Sequence, residues 1–273
     1  MILRFKTSTP VILLALSLVQ FSLGQKATDS KAKDEKKAKP VAVATPSKDG
    51  KNPTAEEVAE STIFIYGGRV ILNQIRKTAI EHGKISVTTA DGKTDQATYQ
   101  RFTQRAETLS KDKIRFDQDF STAKYSLVFN EEKIFGIVDD SVFTPREDAS
   151  KAFENQIVRG LETLLRYKEN ESKIELAGKD KLFGVEYYLL DVTDKQSRLT
   201  RFYISTKRFR VMMLDYEQDG VKYRRKFYDY NYAQGTLVPY RTTLWAGDKM
   251  IEETEVGTIS FGQKIDETMF SAG

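Results

Sequence analysis

From Leu182 onward, apolar and polar positions alternate in runs short enough to be strands. FGVEYYLLDVT, LTRFYISTKRF, RVMMLDYEQDG, VKYRRKFYDYNY and LVPYRTTLW succeed one another as far as Trp245. They are rich in Val, Ile, Tyr, Phe and Thr, and DKQS, TKR, EQDG and AQG between them are turn-formers, the punctuation of an antiparallel meander. In VKYRRKFYDYNY a period of two puts Tyr223, Arg225 and Phe227 on one face and Lys222, Arg224, Lys226, Tyr228 and Tyr230 on the other. RVMMLDY differs: Val211 and Met213 fall on one side and Met212 and Leu214 on the other, so both faces are apolar at its centre.

Upstream, Thr54 and Glu57 form a capping box that opens a helix carrying Val58, Ile63 and Ile65. Gly67-Gly68 interrupts it, and Val70, Ile71, Gln74, Ile75 and Ala79 continue at helical spacing to His82-Gly83. ISVTT and the run from Thr94 flank Ala-Asp-Gly-Lys, where Asp-Gly signals a hairpin. RFTQRAETL, KIRFDQD, TAKYSLVFN and EKIFGIVD continue as strands, with Tyr125, Leu127 and Phe129 on one face. After Phe143-Thr144-Pro145, the spacing predicts one helix over 148–168, with an apolar stripe of Phe153, Ile157, Leu161, Leu164 and Leu165. One apolar stripe needs one apolar surface, and the nearest is the meander that follows. MIEETEVGTISFGQ closes the sheet, and KIDETMF tucks Met269 and Phe270 back onto the body. The expected fold is α+β: one domain over 54–273, a strongly curved, open antiparallel sheet of about ten to eleven strands with helices across it.

Composition changes the picture at the N-terminus. Arg4 and Lys6, the apolar run VILLALSLVQF and the small residues Ser22 and Gly24 make residues 1–24 a cleavable secretory leader, too short for a comfortable membrane span. Residues 25–53 are Lys-rich with no aromatic residue and read as a disordered linker, able to make transient contact with an anionic membrane surface. The formal charge of +4 resides there: ten basic and four acidic residues precede Thr54, which leaves the domain at −2 and argues against nucleic acid as a partner. The chain has no cysteine, which excludes disulfides, thiolate metal sites and a lipid-modified Cys anchor.

Motifs for catalysis are sparse. The single histidine, His82, stands in EHG at the expected end of a helix, and no GxSxG, phosphate loop, dinucleotide fingerprint or HExxH occurs. The doublets Asp139-Asp140, Glu131-Glu132 and Glu252-Glu253 point to opposite faces of a strand, so none is a facing acid pair. No catalytic residue, metal ligand or cofactor is assigned. The surplus of apolar groups over the helices available to cover them admits two readings: an ordinary two-layer core, or a lining for an apolar ligand, to which Met and aromatic side chains adapt well.

The early helix and the meander, with TRFYISTKRFRVMMLDYEQDGVKYRRKFYDYNYAQGTLVPYRTTLWAGDKMIEETEVGTISF, resemble the LolA/LolB superfamily of periplasmic lipoprotein carriers, with LppX-like proteins and the RseB-type sensor domain as relatives. The likeness spans about residues 54–270. It implies a half-barrel whose concave face receives acyl chains, a periplasmic location, and a lipid or acylated protein as partner, bound without catalysis. Candidate lining residues are Leu127, Phe129, Phe153, Ile157, Leu161, Leu164, Leu189, Phe202, Ile204, Val211 and Met213, and Arg101 and Arg115 are the polar candidates. An envelope sensor or assembly factor that binds another protein, and a hydrolase-type enzyme using scattered carboxylates, are the alternatives.

Overall fold

A computed structural model describes residues 52–89 and 92–271. The leader, nearly all of the Lys-rich segment, and Ala90 and Asp91 of the expected turn lie outside the described residues. Six strands come first: β1 (Thr78–Thr88), β2 (Thr94–Gln104), β3 (Lys113–Phe120), β4 (Lys124–Asn130), β5 (Lys133–Val138) and β6 (Ser141–Phe143). Seven follow: β7 (Lys173–Leu182), β8 (Val185–Thr193), β9 (Leu199–Ser205), β10 (Val211–Gln218), β11 (Val221–Ala233), β12 (Thr236–Ala246) and β13 (Lys249–Phe261). The helices are α1 (Ala55–Ile65), α2 (Gly68–Ile75), α3 (Glu147–Val158) and α4 (Leu161–Leu165).

All thirteen strands belong to one sheet in the order β6-β5-β4-β3-β2-β1-β13-β12-β11-β10-β9-β8-β7. Each half is a meander of sequential antiparallel strands, with residues 105–112 as the longest link between neighbouring strands, and the halves meet where β1 pairs antiparallel with β13. The order has a direct consequence for the helices. The first meander ends at one edge, β6, and the second begins at the opposite edge, β7, so the chain must cross the sheet between them. It crosses as α3 and α4, which explains why their apolar stripe has a sheet to lie on. At the central pair, Gly83 sits in a bulge opposite β13, and a Cβ there would come within 2.1 Å of the Glu255 carbonyl oxygen and 2.7 Å of the Tyr99 ring. Only glycine lets the two meanders approach so closely.

Two cores lie on the helix-covered face. The larger packs α1, α2 and α4 on β8–β12, with Val58, Leu164, Leu190, Phe202, Ile204, Val211 and Leu214 fully buried. The second packs Phe153, Ile157 and Val158 of α3 on Ile85, Tyr99, Phe116, Leu127 and Phe129 of β1–β4. α1 opens with the predicted capping box: Thr54 Oγ1 accepts from the Glu57 amide at 3.2 Å, and the Thr54 amide donates to Glu57 Oε2 at 2.8 Å. Phe270 is fully buried, and its carbonyl accepts from Asn130 Nδ2 at 3.0 Å, tying the C-terminal turn to β4.

Several expectations are corrected. The sheet has thirteen strands rather than ten to eleven; β7, KIELAGKDKL, carries little apolar signal because it is an edge strand that half-buries only alternate residues. The helix expected over 148–168 is broken: α3 ends at Val158 and α4 starts after Gly160, where a Cβ would lie 2.6 Å from the Gln156 carbonyl oxygen. Helical spacing does not run on to His82, since pairing with β2 and β13 draws residues from Thr78 into a strand. His82 is therefore an exposed strand residue, with Nε2 3.2 Å from Gln100 Nε2. A bulge between Val211 and Met213 separates two residues read as sharing a face: Val211 joins Leu214 in the large core, and Met213 packs with Tyr187 and Tyr203 on the other side. Asp229, at φ 51°, interrupts the alternation without a shift in the β11–β12 register, so Tyr230 turns inward and its hydroxyl lies 2.8 Å from that of Tyr66.

Candidate functional site

Where the two meanders meet beneath the α3–α4 crossover, a cavity of about 220 Å³ remains. Its floor comes from β1–β3 on one side and β11–β13 on the other, and its roof is Phe153, Gln156, Ile157, Gly160, Leu161 and Glu162. The space exists because the strands place small side chains there: Ala79 on β1, Thr103 on β2, Thr242 on β12 and Thr254 on β13. Ile114, Phe227, Val238, Val256, Ile259 and Phe261 make the walls apolar.

Polar side chains enter at two places. At the first, Gln156 of α3 bridges both meanders. Its Oε1 accepts from Arg101 Nη2 on β2 at 2.8 Å, and its Nε2 donates to Glu252 Oε2 on β13 at 3.1 Å. Arg225 Nη1 donates to the other oxygen of Glu252 at 3.0 Å, and the Arg101 guanidinium stacks 4.5 Å above the Phe116 ring. Tyr99 Oη donates to Glu81 Oε1 at 2.6 Å; burial and the adjacent Glu81 carboxylate raise the phenol pKa, so the hydroxyl stays protonated.

At the second place, three guanidiniums meet two carboxylates. Glu162 of α4 pairs through Oε1 with Arg76 Nη2 at 3.1 Å and through Oε2 with Arg105. Arg166 pairs with Asp112 at 2.7 Å and donates to the Ala106 carbonyl at 2.7 Å, while the Ala106 amide donates to Asp112 Oδ1 at 2.8 Å. Burial pulls the Arg105 pKa down to about 10, with the Arg76 and Arg166 charges adding to the effect against the Glu162 carboxylate. For Glu162, burial pushes the pKa up, but Arg105, Arg76 and Arg166 outweigh it and hold the carboxyl below its ordinary value.

Of the residues singled out from the sequence, Arg101, Phe153, Ile157 and Leu161 line this cavity. Leu127 and Phe129 pack under α3 in the second core, and Leu164, Phe202, Ile204 and Val211 lie in the large core. Leu189 and Met213 pack together on the opposite face of the sheet. Arg115 also faces away, bonded to Asp117 Oδ1 at 2.7 Å, Ser126 Oγ at 3.1 Å and the Met269 carbonyl at 3.3 Å. The sequence reading missed Arg76, Arg105, Gln156, Glu162 and Arg225 as a group. One signal was available: in RFTQR the period of two puts Arg101, Thr103 and Arg105 on one side of β2.

Solved structures share this fold. A LolA superfamily protein from Nitrosomonas europaea matches with TM-score 0.59 at 11% identity, over 81% of this chain and 98% of that one. A DUF1329 family protein from Desulfovibrio piger matches with TM-score 0.55 at 12% identity, over 80% and 95%. A domain assigned to the outer membrane lipoprotein-sorting proteins, from Vibrio parahaemolyticus, matches with TM-score 0.51 at 12% identity, over 79% and 97%. The resemblance read from the sequence is thus met at the level of the fold. No family model and no curated protein matches the sequence.

Proposed function

We propose that this chain is an exported, non-catalytic binding protein that takes an acyl chain of a lipid or acylated protein between α3 and the sheet, in the half-barrel arrangement its fold resemblance implies. The observation that carries this reading is the apolar-walled cavity under the α3–α4 crossover, at the seam of the two meanders. At about 220 Å³ it is smaller than the roughly 300–1,000 Å³ of ordinary ligand pockets, so a long chain enters only if the cover gives way.

α3 is suited to giving way. Its main apolar anchors, Phe153 and Ile157, are each worth about 1.5–3 kcal/mol on burial, and a methylene is worth about 0.8 kcal/mol. About four to eight methylenes therefore replace both anchors, a length that common acyl chains exceed. Val158 adds a third, smaller apolar contact, and the other attachments of α3 are polar and exchangeable with water, among them Gln156 to Arg101 and Glu252, Asn155 to Gln218, Lys151 to Asp219, Glu154 to Arg198 at 2.8 Å, and Arg159 to the Leu199 carbonyl at 2.8 Å. The exchange makes and breaks no covalent bond.

Native mass spectrometry of the purified chain, combined with organic extraction, tests the reading. A co-purifying or loadable lipid at defined stoichiometry is expected, and repeated failure to find or load any lipid removes it.

A further inference from the structure

The pole formed by Arg76 and Arg105 contributes little as a structural ion pair. Arg166 and Asp112 satisfy each other almost out of contact with water, at 6% and 3% side-chain exposure. That leaves Glu162 alone to answer two guanidiniums, one on each oxygen. Nε and Nη1 of Arg76 and, within the same pole, Oε2 of Glu162 are buried without a well-formed hydrogen bond to protein, as is Nε of Arg101 further along the cavity. Unpaired buried donors on a charged group are costly, and the pole holds one positive charge in excess. Arg76 also stacks 5.2 Å over the Phe261 ring, so the excess charge borders the apolar wall. Burial is the main cause of the lowered Arg105 pKa, and the Arg76 and Arg166 charges add to it.

We infer that the cavity selects an amphiphile with an anionic head, which Arg76 and Arg105 receive at the seam of the two meanders, and that Glu162 occupies their place for an anion until such a ligand arrives. The inference rests on the proposed acyl-chain reading and narrows its ligand class to alkyl carboxylates and alkyl phosphates. A bare small anion would answer the charge but leave the half-buried Leu161 and Ile259 uncovered. A neutral amphiphile such as an alcohol would cover the wall and accept a hydrogen bond from Arg76, but it would leave the excess positive charge unanswered. Glu162 sits at the start of α4, just past the break at Gly160 where α3 ends, so its carboxylate borders the α3 cover while Leu164 and Leu165 hold α4 in the large core.

Isothermal titration of the purified full chain with decanoate, decyl phosphate, 1-decanol and inorganic phosphate tests this. Decanoate and decyl phosphate are expected to bind about tenfold or more tighter than 1-decanol, the worth of one charge-assisted hydrogen bond. Their order shows which head fits better. Arg76→Gln should abolish that preference, and a preference that survives the substitution overturns the inference. Glu162→Gln removes the rival carboxylate and should tighten decanoate several-fold, a gain that misfolding cannot imitate. Arg201→Gln, whose partner Asp191 lies 2.7 Å away outside the cavity, should change nothing. Equal affinity for decanoate and 1-decanol overturns the inference and leaves the acyl-chain reading standing; binding of neither overturns both. Inorganic phosphate binding as tightly as decyl phosphate overturns the amphiphile and reduces the pole to a plain anion site. Unchanged or weaker decanoate binding in Glu162→Gln overturns the role given to Glu162.

Discussion

The two meanders use one sheet in different ways. Strands β8–β12 are sealed by three helices, and Val58, Leu164, Leu190, Phe202, Ile204 and Leu214 have no exposure at all. Strands β1–β4 carry only α3, held by Phe153, Ile157 and Val158 at 2%, 6% and 8% exposure and by polar bonds such as those of Gln156. A face closed by interdigitating apolar side chains behaves as a solid. A face closed by one helix on three apolar side chains and a few hydrogen bonds opens at lower free energy. The cavity lies where the two kinds of cover meet, which places stability in one meander and access in the other.

The comparison breaks first where it is strongest. Phe202→Ala in the sealed meander should cost about 3–5 kcal/mol, read as a lowered denaturant midpoint for the whole domain. Phe153→Ala should lower the midpoint less and should chiefly speed hydrogen exchange of α3 amides; equal global losses would erase the distinction between the meanders. Asp112→Ala leaves Arg166 buried without its carboxylate beside Arg105 and Arg76, and about 3–5 kcal/mol of destabilisation is expected, against a much smaller loss when both partners are replaced by apolar residues.

Gln156→Ala severs the link from α3 to both meanders and should cost about 1–3 kcal/mol, with faster lipid loading in stopped flow. Slower loading would mean that the bridge guides the ligand rather than holding the cover. The smallest effect concerns pH. Burial pushes the Glu60 carboxyl up, but hydrogen bonds from Arg69, Lys168 and Tyr167 outweigh it and bring the pKa from 4.5 to about 2. The unfolded chain thus binds a proton that the folded one refuses, so stability present above pH 4.5 falls as pH drops toward 2. Thermal melts of Glu60→Gln should show a shallower decline across that window, and the loss should fall on α1, α2 and α4 rather than α3.

Much of this organisation is legible along the chain. Alternation in VKYRRKFYDYNY places Tyr223, Arg225 and Phe227 on the covered face, where Arg225 and Phe227 reach the cavity. The stripe on α3 and α4 and the capping box at Thr54 follow from local spacing in the same way. Three of the errors share one cause. The bulge at Val211–Met213, the positive φ of Asp229 and the strand that begins at Thr78 all depend on which partner strand lies alongside. A one-residue irregularity inverts every following side chain, and no local pattern announces it.

The sequence by itself determined the elements and the apolar face of most of them, because hydrophobic periodicity is a local consequence of backbone geometry. Tertiary structure alone decided that the first meander ends at the edge opposite the start of the second. That forces α3 and α4 across the seam and brings Glu162 onto Arg76 and Arg105. A charge cluster drawn from α2, the end of β2 and α4 has no sequence period. It exists only once the chain has crossed its own sheet, because the attraction between those charges acts through space and not along the backbone.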